Sequence, residues 1–371
     1  MRHALLVGLA ACGFAPQAAS SDGKVDARSG SADAHVADAT DAMAGNARRK
    51  PITFSAAAIS GTQTDFPVWI DLTDPDIAAR AQPNGADIYF TAADGTTRLD
   101  HQLAGWANNR LTAWVRVPTL KPSPATVIYV NYGDPGAAPA QNPAGVFRAS
   151  FAAVWHLDDA LPTTTIADAT GSHPGTATLT TTTHTTAKLG GGLTFAASAD
   201  TITFTNPLTG ANPHTISVWV RQPAVTHVSA ILVVGTGTQN QARWLYSHYT
   251  GSTMAVGFYS NDWVANSNLD GASWVLLHWV LEPNGKNHLY RDGQEIAGSP
   301  TTLNNIATMG TTGIIGHAPE PTYGTNTGLE GSIDELRIAT VVRSPGWIAT
   351  EYANQNAPSS FYTVGAEEPA P

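Results

Sequence analysis

The feature that most constrains this chain is a recurring pattern of short β-branched or aromatic runs, each closed by Gly, Pro, Asn or Asp. Phe66-Pro-Val-Trp-Ile70, Ala86-Asp-Ile-Tyr-Phe90, Leu111-Thr-Ala-Trp-Val-Arg-Val117 and Thr126-Val-Ile-Tyr-Val130 follow one another in this way, and similar runs continue to Ile338. With 34 Gly and 24 Pro among 371 residues, the punctuation is too frequent for a helical bundle. Within one run, Leu111, Ala113, Val115 and Val117 share a face, while Thr112, Trp114 and Arg116 share the other. The pattern therefore predicts an all-β protein, built as two sandwiches in series with one short helix near the C-terminus.

Length agrees, since 371 residues suggest roughly two domains. Only 13% of residues are charged, against about 25% in an average domain, and the formal net charge is −10. A nucleic-acid partner is excluded on this basis, because phosphate contacts need clustered cations and the one basic run is Arg48, Arg49 and Lys50. No stretch approaches the ~18 apolar residues of a membrane-spanning helix. The longest candidate, residues 274–281, reads as a buried strand.

The single cysteine, Cys12, precludes an intramolecular disulfide and any cysteine-based metal site. Arg2 and His3 precede an apolar run that ends Leu9-Ala-Ala-Cys12-Gly13, which resembles the lipobox of bacterial lipoprotein signals. The resemblance implies a signal over residues 1–12, lipidation of Cys12, and a secreted protein held at the bacterial outer membrane or cell surface. A truncated secretory signal with an incidental cysteine is the alternative. Residues 13–49, dominated by Ala, Ser, Asp and Gly, lack the large apolar side chains needed to offset ordering entropy and read as a disordered tether. Membrane contact would then come only through the N-terminal lipid.

The first folded region spans residues 50–136. Asn84-Gly-Ala-Asp-Ile-Tyr-Phe90, Leu99-Asp-His-Gln-Leu103, Ala113-Trp-Val-Arg-Val-Pro118 and Val127-Ile-Tyr-Val-Asn-Tyr-Gly133 resemble the family called domain of unknown function 2341. That resemblance implies a β-sandwich of bacterial surface proteins and carries no catalytic residues. The second region spans residues 150–366. Ala153-Val-Trp-His-Leu-Asp158, Thr215-Ile-Ser-Val-Trp-Val220, Leu289-Tyr-Arg-Asp-Gly293 and Gly331-Ser-Ile-Asp-Glu-Leu-Arg-Ile338 resemble a concanavalin A-like, laminin-G-like domain, which implies a jelly-roll sandwich. After it, Ser344 can cap a short helix whose first turn suits Pro345. The Thr-rich stretch 176–186 fits an ordinary strand and loop better than a glycosylated stalk.

Catalytic signatures are lacking: there is no nucleophile elbow, phosphate-binding loop, dinucleotide fingerprint or His-Glu-x-x-His motif. His156 beside Trp155 reads as a hydrogen-bonded structural histidine. The sharpest enzymatic candidate is Glu330-Gly-Ser-Ile-Asp334-Glu335. Strand alternation puts Glu330 and Asp334 on one face and Glu335 on the other, a spacing unlike the paired acids of glycoside hydrolases. The laminin-G-like resemblance implies a structural calcium ion, with Asp168 and Asp334 as first ligands and Asp158 and Asp159 as further ones. The alternative is that Asp168 makes a turn and Asp334 caps a loop.

Ligand recognition is the remaining chemistry. Trp244 and Tyr246 share a face if their run is extended, and Trp263 is flanked by Asn261 and Asp262. Aromatic faces beside amide and carboxylate groups suit a sugar ring, with Trp263 as the best exposed aromatic. Trp155, Trp219 and Trp274 fit the core instead. The expectation is a non-catalytic surface protein that binds a glycan or extracellular polymer through its second sandwich. The alternatives are a structural or adhesion protein binding surface proteins and, last, a glycoside hydrolase or lyase.

Overall fold

The computed structural model describes residues 47–371 apart from 149, 198, 251–252, 272 and 320–325; Cys12, the lipobox and most of the 13–49 tether lie outside them. Among the described residues the strands form four sheets, paired antiparallel throughout. A six-stranded and a three-stranded sheet make the first sandwich, and an eight-stranded and a nine-stranded sheet make the second.

The alternation read from the sequence decides what each strand buries. In Arg110–Leu120, Leu111, Ala113, Val115 and Val117 enter the core of the first sandwich, beside Phe66, Val68 and Ile70 of Gln63–Thr73. Trp114 and Trp69 point the other way, with ring centroids 4.9 Å apart, into a separate cluster with Phe147, Val154, Trp219 and Leu276. That cluster is the seam between the sandwiches. The three-stranded sheet is therefore buried on both faces at its centre, and so is His214–Arg221 of the nine-stranded sheet. There Ile216, Val218 and Val220 fill the second core while Trp219 meets the seam.

The expected helix is Pro345–Asn356, opened by Ser344, whose hydroxyl accepts from Trp347 N at 3.1 Å, with proline in its first turn. It lies along the seam. Trp347 packs on Phe66 at 4.6 Å between centroids. Asn354 takes both sides of one strand peptide, accepting from Trp69 N at 2.7 Å and donating to Trp69 O at 2.9 Å.

Two expected boundaries shift. The first strand, Arg48–Phe54, begins inside the expected tether, because its cations have partners: Arg48 with Glu367, Arg49 with Glu368 and Lys50 with Asp74, at 3.6, 2.7 and 2.7 Å. The basic run is thus an internal pairing surface. At the other end, the second sandwich does not extend to residue 366. Tyr362–Val364 pairs with Ile52, Thr53 and Phe54 of the first sheet, and the Tyr362 hydroxyl exchanges two 2.8 Å hydrogen bonds with the Asp71 peptide. Glu368–Pro369 pairs with Arg48 and Arg49. The chain's two described ends meet in one sheet, so the first sandwich is completed only after the second.

The Thr-rich stretch forms strands Gly175–Thr178 and Thr183–Ala187. Thr180, Thr181 and Thr182 between them donate backbone and hydroxyl bonds to Asp200. Those donors hold the Asp200 carboxyl well below the usual carboxylate range despite its burial.

Candidate functional site

The outward faces of the second sandwich differ in kind. On the eight-stranded sheet, Leu245 and Val256 point into the core, so their neighbours Trp244, Tyr246 and Ala255 point out. Trp244 and Tyr246 stand 4.7 Å apart; Tyr259 lies 5.9 Å from Trp244, and Tyr249 stacks on Tyr246 at 5.8 Å with planes 16° apart. This separation is that of favourable offset and tilted aromatic pairs.

Across the strands, Trp244 faces Gly257, which faces Asp262. Gly257 has φ +151°, and a Cβ there would sit 2.6 Å from the Asp262 Cα, so this row tolerates only glycine. Asp262 is half-buried, and burial raises its pKa; the Tyr249 hydroxyl is pushed up by burial and by the nearby Asp262 charge.

The expected ligand residues therefore divide. Trp244 and Tyr246 do share the outward face, yet they are 4% and 0% exposed, because Ala318 and the neighbouring aromatic rings pack over them. The half-exposed aromatics of this outward face are Tyr249 and Tyr259; Trp263, on the other face of its strand, is also half-exposed. Asp262 belongs to this face. Trp263 and Asn261 do not: in Asn261–Ala265 alternation turns Trp263 towards the core, opposite Val256, and Asn261 donates to Asn304 O at 2.8 Å. The exposed apolar residue of that strand is Val264. Tyr249 escaped the sequence reading because it lies just past the strand Ala242–His248; its signal was the dense aromatic spacing 244, 246, 249.

The outward face of the nine-stranded sheet is the seam, and it carries buried charge. Glu330–Ala339 contains a bulge at Glu335, whose φ is +53°. Ile333, Leu336 and Ile338 enter the core, so Asp334, Glu335 and Arg337 all face the seam. The expectation that Asp334 and Glu335 point oppositely is overturned by this one extra residue. Its sequence signal was the apolar spacing 333, 336, 338.

Arg337 sits 4.2 Å over the Trp114 ring and binds Glu335 Oε2 at 2.8 Å and Glu351 Oε1 at 3.1 Å. His156 bridges the sandwiches, with Nδ1 2.7 Å from Glu335 and Nε2 3.1 Å from the Gln102 side chain. His278 and Trp347 contact the other Glu351 oxygen at 3.1 and 3.2 Å. Burial alone would raise these carboxyls. Instead His156 and Arg337 hold Glu335 below its ordinary value, and His278 and Arg337 hold Glu351 at about 2. Asp334 is the exception: fully buried beside Glu335, its carboxyl is pushed well up, with Leu189 N donating to one oxygen at 2.8 Å. A raised and a lowered carboxyl side by side is the electrostatic form of an acid–base pair. Here the two are 0% and 4% exposed, enclosed by Trp114, His156 and the C-terminal helix.

The four expected calcium ligands differ in their surroundings. Both Asp168 oxygens are used by Val154, Thr170, Ser172 and His173 as donors, so this residue makes a turn. Asp159 accepts from Ala167 N, Asp158 is exposed, and Asp334 is enclosed. Among the described residues no three His, Cys, Asp or Glu side chains converge as a metal set.

Fold and site together define a tandem all-β protein whose second unit is a concanavalin A-like sandwich. Comparison with protein families agrees: residues 84–161 match the model of the domain of unknown function 2341, and residues 196–349 match that of the concanavalin A-like lectin/glucanases superfamily, in the order the sequence implied. No curated protein matches the chain. Among solved structures, domain 4 of the extracellular arabinanase AbnA from Geobacillus stearothermophilus, solved with arabinotriose, is 20% identical, with a TM-score of 0.43; the match covers 55% of this chain and 98% of that one. A Trypanosoma rangeli sialidase is 11% identical, covering 68% of this chain and 44% of its own, with a TM-score of 0.43. The binding domain of Paraclostridial Mosquitocidal Protein 1 is 10% identical, with 55% and 52% covered and a TM-score of 0.43.

Proposed function

We propose that this chain is a non-catalytic carbohydrate-binding protein of the bacterial cell surface, and that it meets its glycan at Tyr249, Tyr259 and Asp262. The observation that carries this reading is the outward aromatic stack of the eight-stranded sheet. Trp244 and Tyr246 form its buried base, Tyr249 and Tyr259 its half-exposed rim, and Asp262 stands beside it. Aromatic faces stack on the C–H face of a pyranose, and a carboxylate accepts from its hydroxyls. The concanavalin A-like fold supports the same class of ligand. Placement at the surface rests on the Ala4 to Cys12 segment.

The non-catalytic part of the reading is supported by the position of the acids. Glycoside hydrolysis needs two carboxyl groups facing one substrate bond, and Asp334 and Glu335 are sealed into the seam. A glycan and polysaccharide binding screen on the full chain, with Tyr249→Ala and Tyr259→Ala beside it, tests the proposal. Saturable binding lost in both variants is expected. Absence of glycan binding by the folded protein would overturn the reading and leave surface proteins as the partners to test.

A further inference from the structure

The seam-side face of the nine-stranded sheet continues beyond the seam. Two residues along the strands from Trp219 and Asp334, the same face presents Arg221 and Ser332, opposite Thr194 on the neighbouring strand. These side chains line an open groove of 610 Å³, within the roughly 300–1,000 Å³ of small-ligand sites.

Three features give the groove a chemistry. Arg221 is half-exposed; its guanidinium lies 5.1 Å over the Trp274 ring and donates to Ser332 Oγ at 3.3 Å, and among the described residues it makes no ion pair. It is a planar, pre-oriented cation with most of its donors unused, the arrangement that suits a bidentate carboxylate. The Ser332 and Thr194 hydroxyls are 2.8 Å apart, and whichever of them donates, the pair, with Ser332 also accepting from Arg221, keeps one O–H donor and two lone pairs between them for a ligand. Ala196, two residues along the strand from Thr194, and Pro223 and Ala224, all exposed, add an apolar wall to the groove. The acid in the groove, Glu330, lies 3.7 Å from His227 Nδ1 and leaves Arg221 free for a ligand.

We propose that this groove binds a uronic acid residue of an acidic glycan, with Arg221 on the carboxylate, Ser332 and Thr194 on ring hydroxyls, and the Ala–Pro wall against the sugar's C–H face. This site lies on the sheet opposite the aromatic rim and stands independently of it. An acidic peptide would use Arg221 but has no need of the hydroxyl pair or the wall.

The test is calorimetry on the full chain with tetragalacturonate, a neutral galactan tetramer and an acidic tetrapeptide. Wild type is expected to bind tetragalacturonate with an affinity that falls as salt rises. Arg221→Gln is expected to weaken that binding by about 10- to 100-fold, the usual loss for one charge-assisted pair, and Arg221→Lys to restore part of it. Ala224→Trp fills the groove from an exposed position, keeps Arg221, and decides the matter should Arg221→Gln fail to fold. Tyr259→Ala should leave tetragalacturonate binding intact, which separates this site from the rim. The proposal is overturned by absence of tetragalacturonate binding, by equal binding in Ala224→Trp, or by binding of the peptide in preference to the uronate.

Discussion

The second sandwich turns two outer faces to its surroundings, and they differ in what they bury. Where the nine-stranded face meets the seam it holds the acids that looked like candidates for chemistry, and there it is closed: Arg337 and Glu335, with Glu351 of the C-terminal helix, are 1%, 4% and 5% exposed and satisfy one another. The eight-stranded face holds the expected aromatics Trp244 and Tyr246, buried as a base, with Tyr249 and Tyr259 half-exposed at its edge. Charge that is buried and fully paired belongs to the architecture. Aromatic surface that stays half-exposed beside a carboxylate is what needs a functional explanation.

The sharpest way to break this contrast is at Arg337. Arg337→Ala removes the guanidinium that Glu335 and Glu351 share, leaving only His156 and His278 beside them, and should cost about 3–5 kcal/mol, measured by denaturant unfolding. An effect below 1 kcal/mol would mean that the seam is hydrated and open. Next in size, Asn354→Ala leaves the Trp69 peptide without either partner and should cost about 1–3 kcal/mol.

Titration sharpens the same contrast. Glu351 is depressed to about 2 in the folded state, so its contribution is present above the unfolded carboxyl value of about 4.3 and is lost as pH falls from there towards 2. Asp334 has the opposite sign. Its raised value favours the folded state at low pH, and that stability is lost as pH rises above the unfolded value of about 3.9. Asp334→Asn should therefore raise Tm at pH 8 and have little effect at pH 4. An equal change at both pH values would contradict the assignment of a raised carboxyl. The smallest expected effect is that of a chelator: with both Asp168 oxygens engaged by protein donors, Tm and glycan binding should stay unchanged, and a fall in either on chelation would restore the calcium reading.

Much of the fold was legible because it rests on period-two alternation. The faces of Arg110–Leu120, the assignment of Trp155 to the core and the capped helix at Ser344 all follow from local pattern. The Glu335 bulge was not read, because one inserted residue reverses every later side chain while leaving composition untouched. The face of Trp263 was not legible for a related reason: flanking Asn and Asp speak to its exposure, which stays intermediate, while the pairing opposite Val256 sets its direction. The return of Tyr362–Val364 to the first sheet depends on a contact some 300 residues away in sequence, beyond any local signal.

The central claim is that the open aromatic rim binds glycan, and it is tested most directly by comparing wild type with Tyr249→Ala/Tyr259→Ala for affinity and Tm on the same preparation. Loss of stacking predicts glycan affinity weakened by at least about tenfold, on the order of 1.4 kcal/mol, with the unfolding transition retained. Unchanged affinity in a folded double variant would contradict the claim and move recognition off this face.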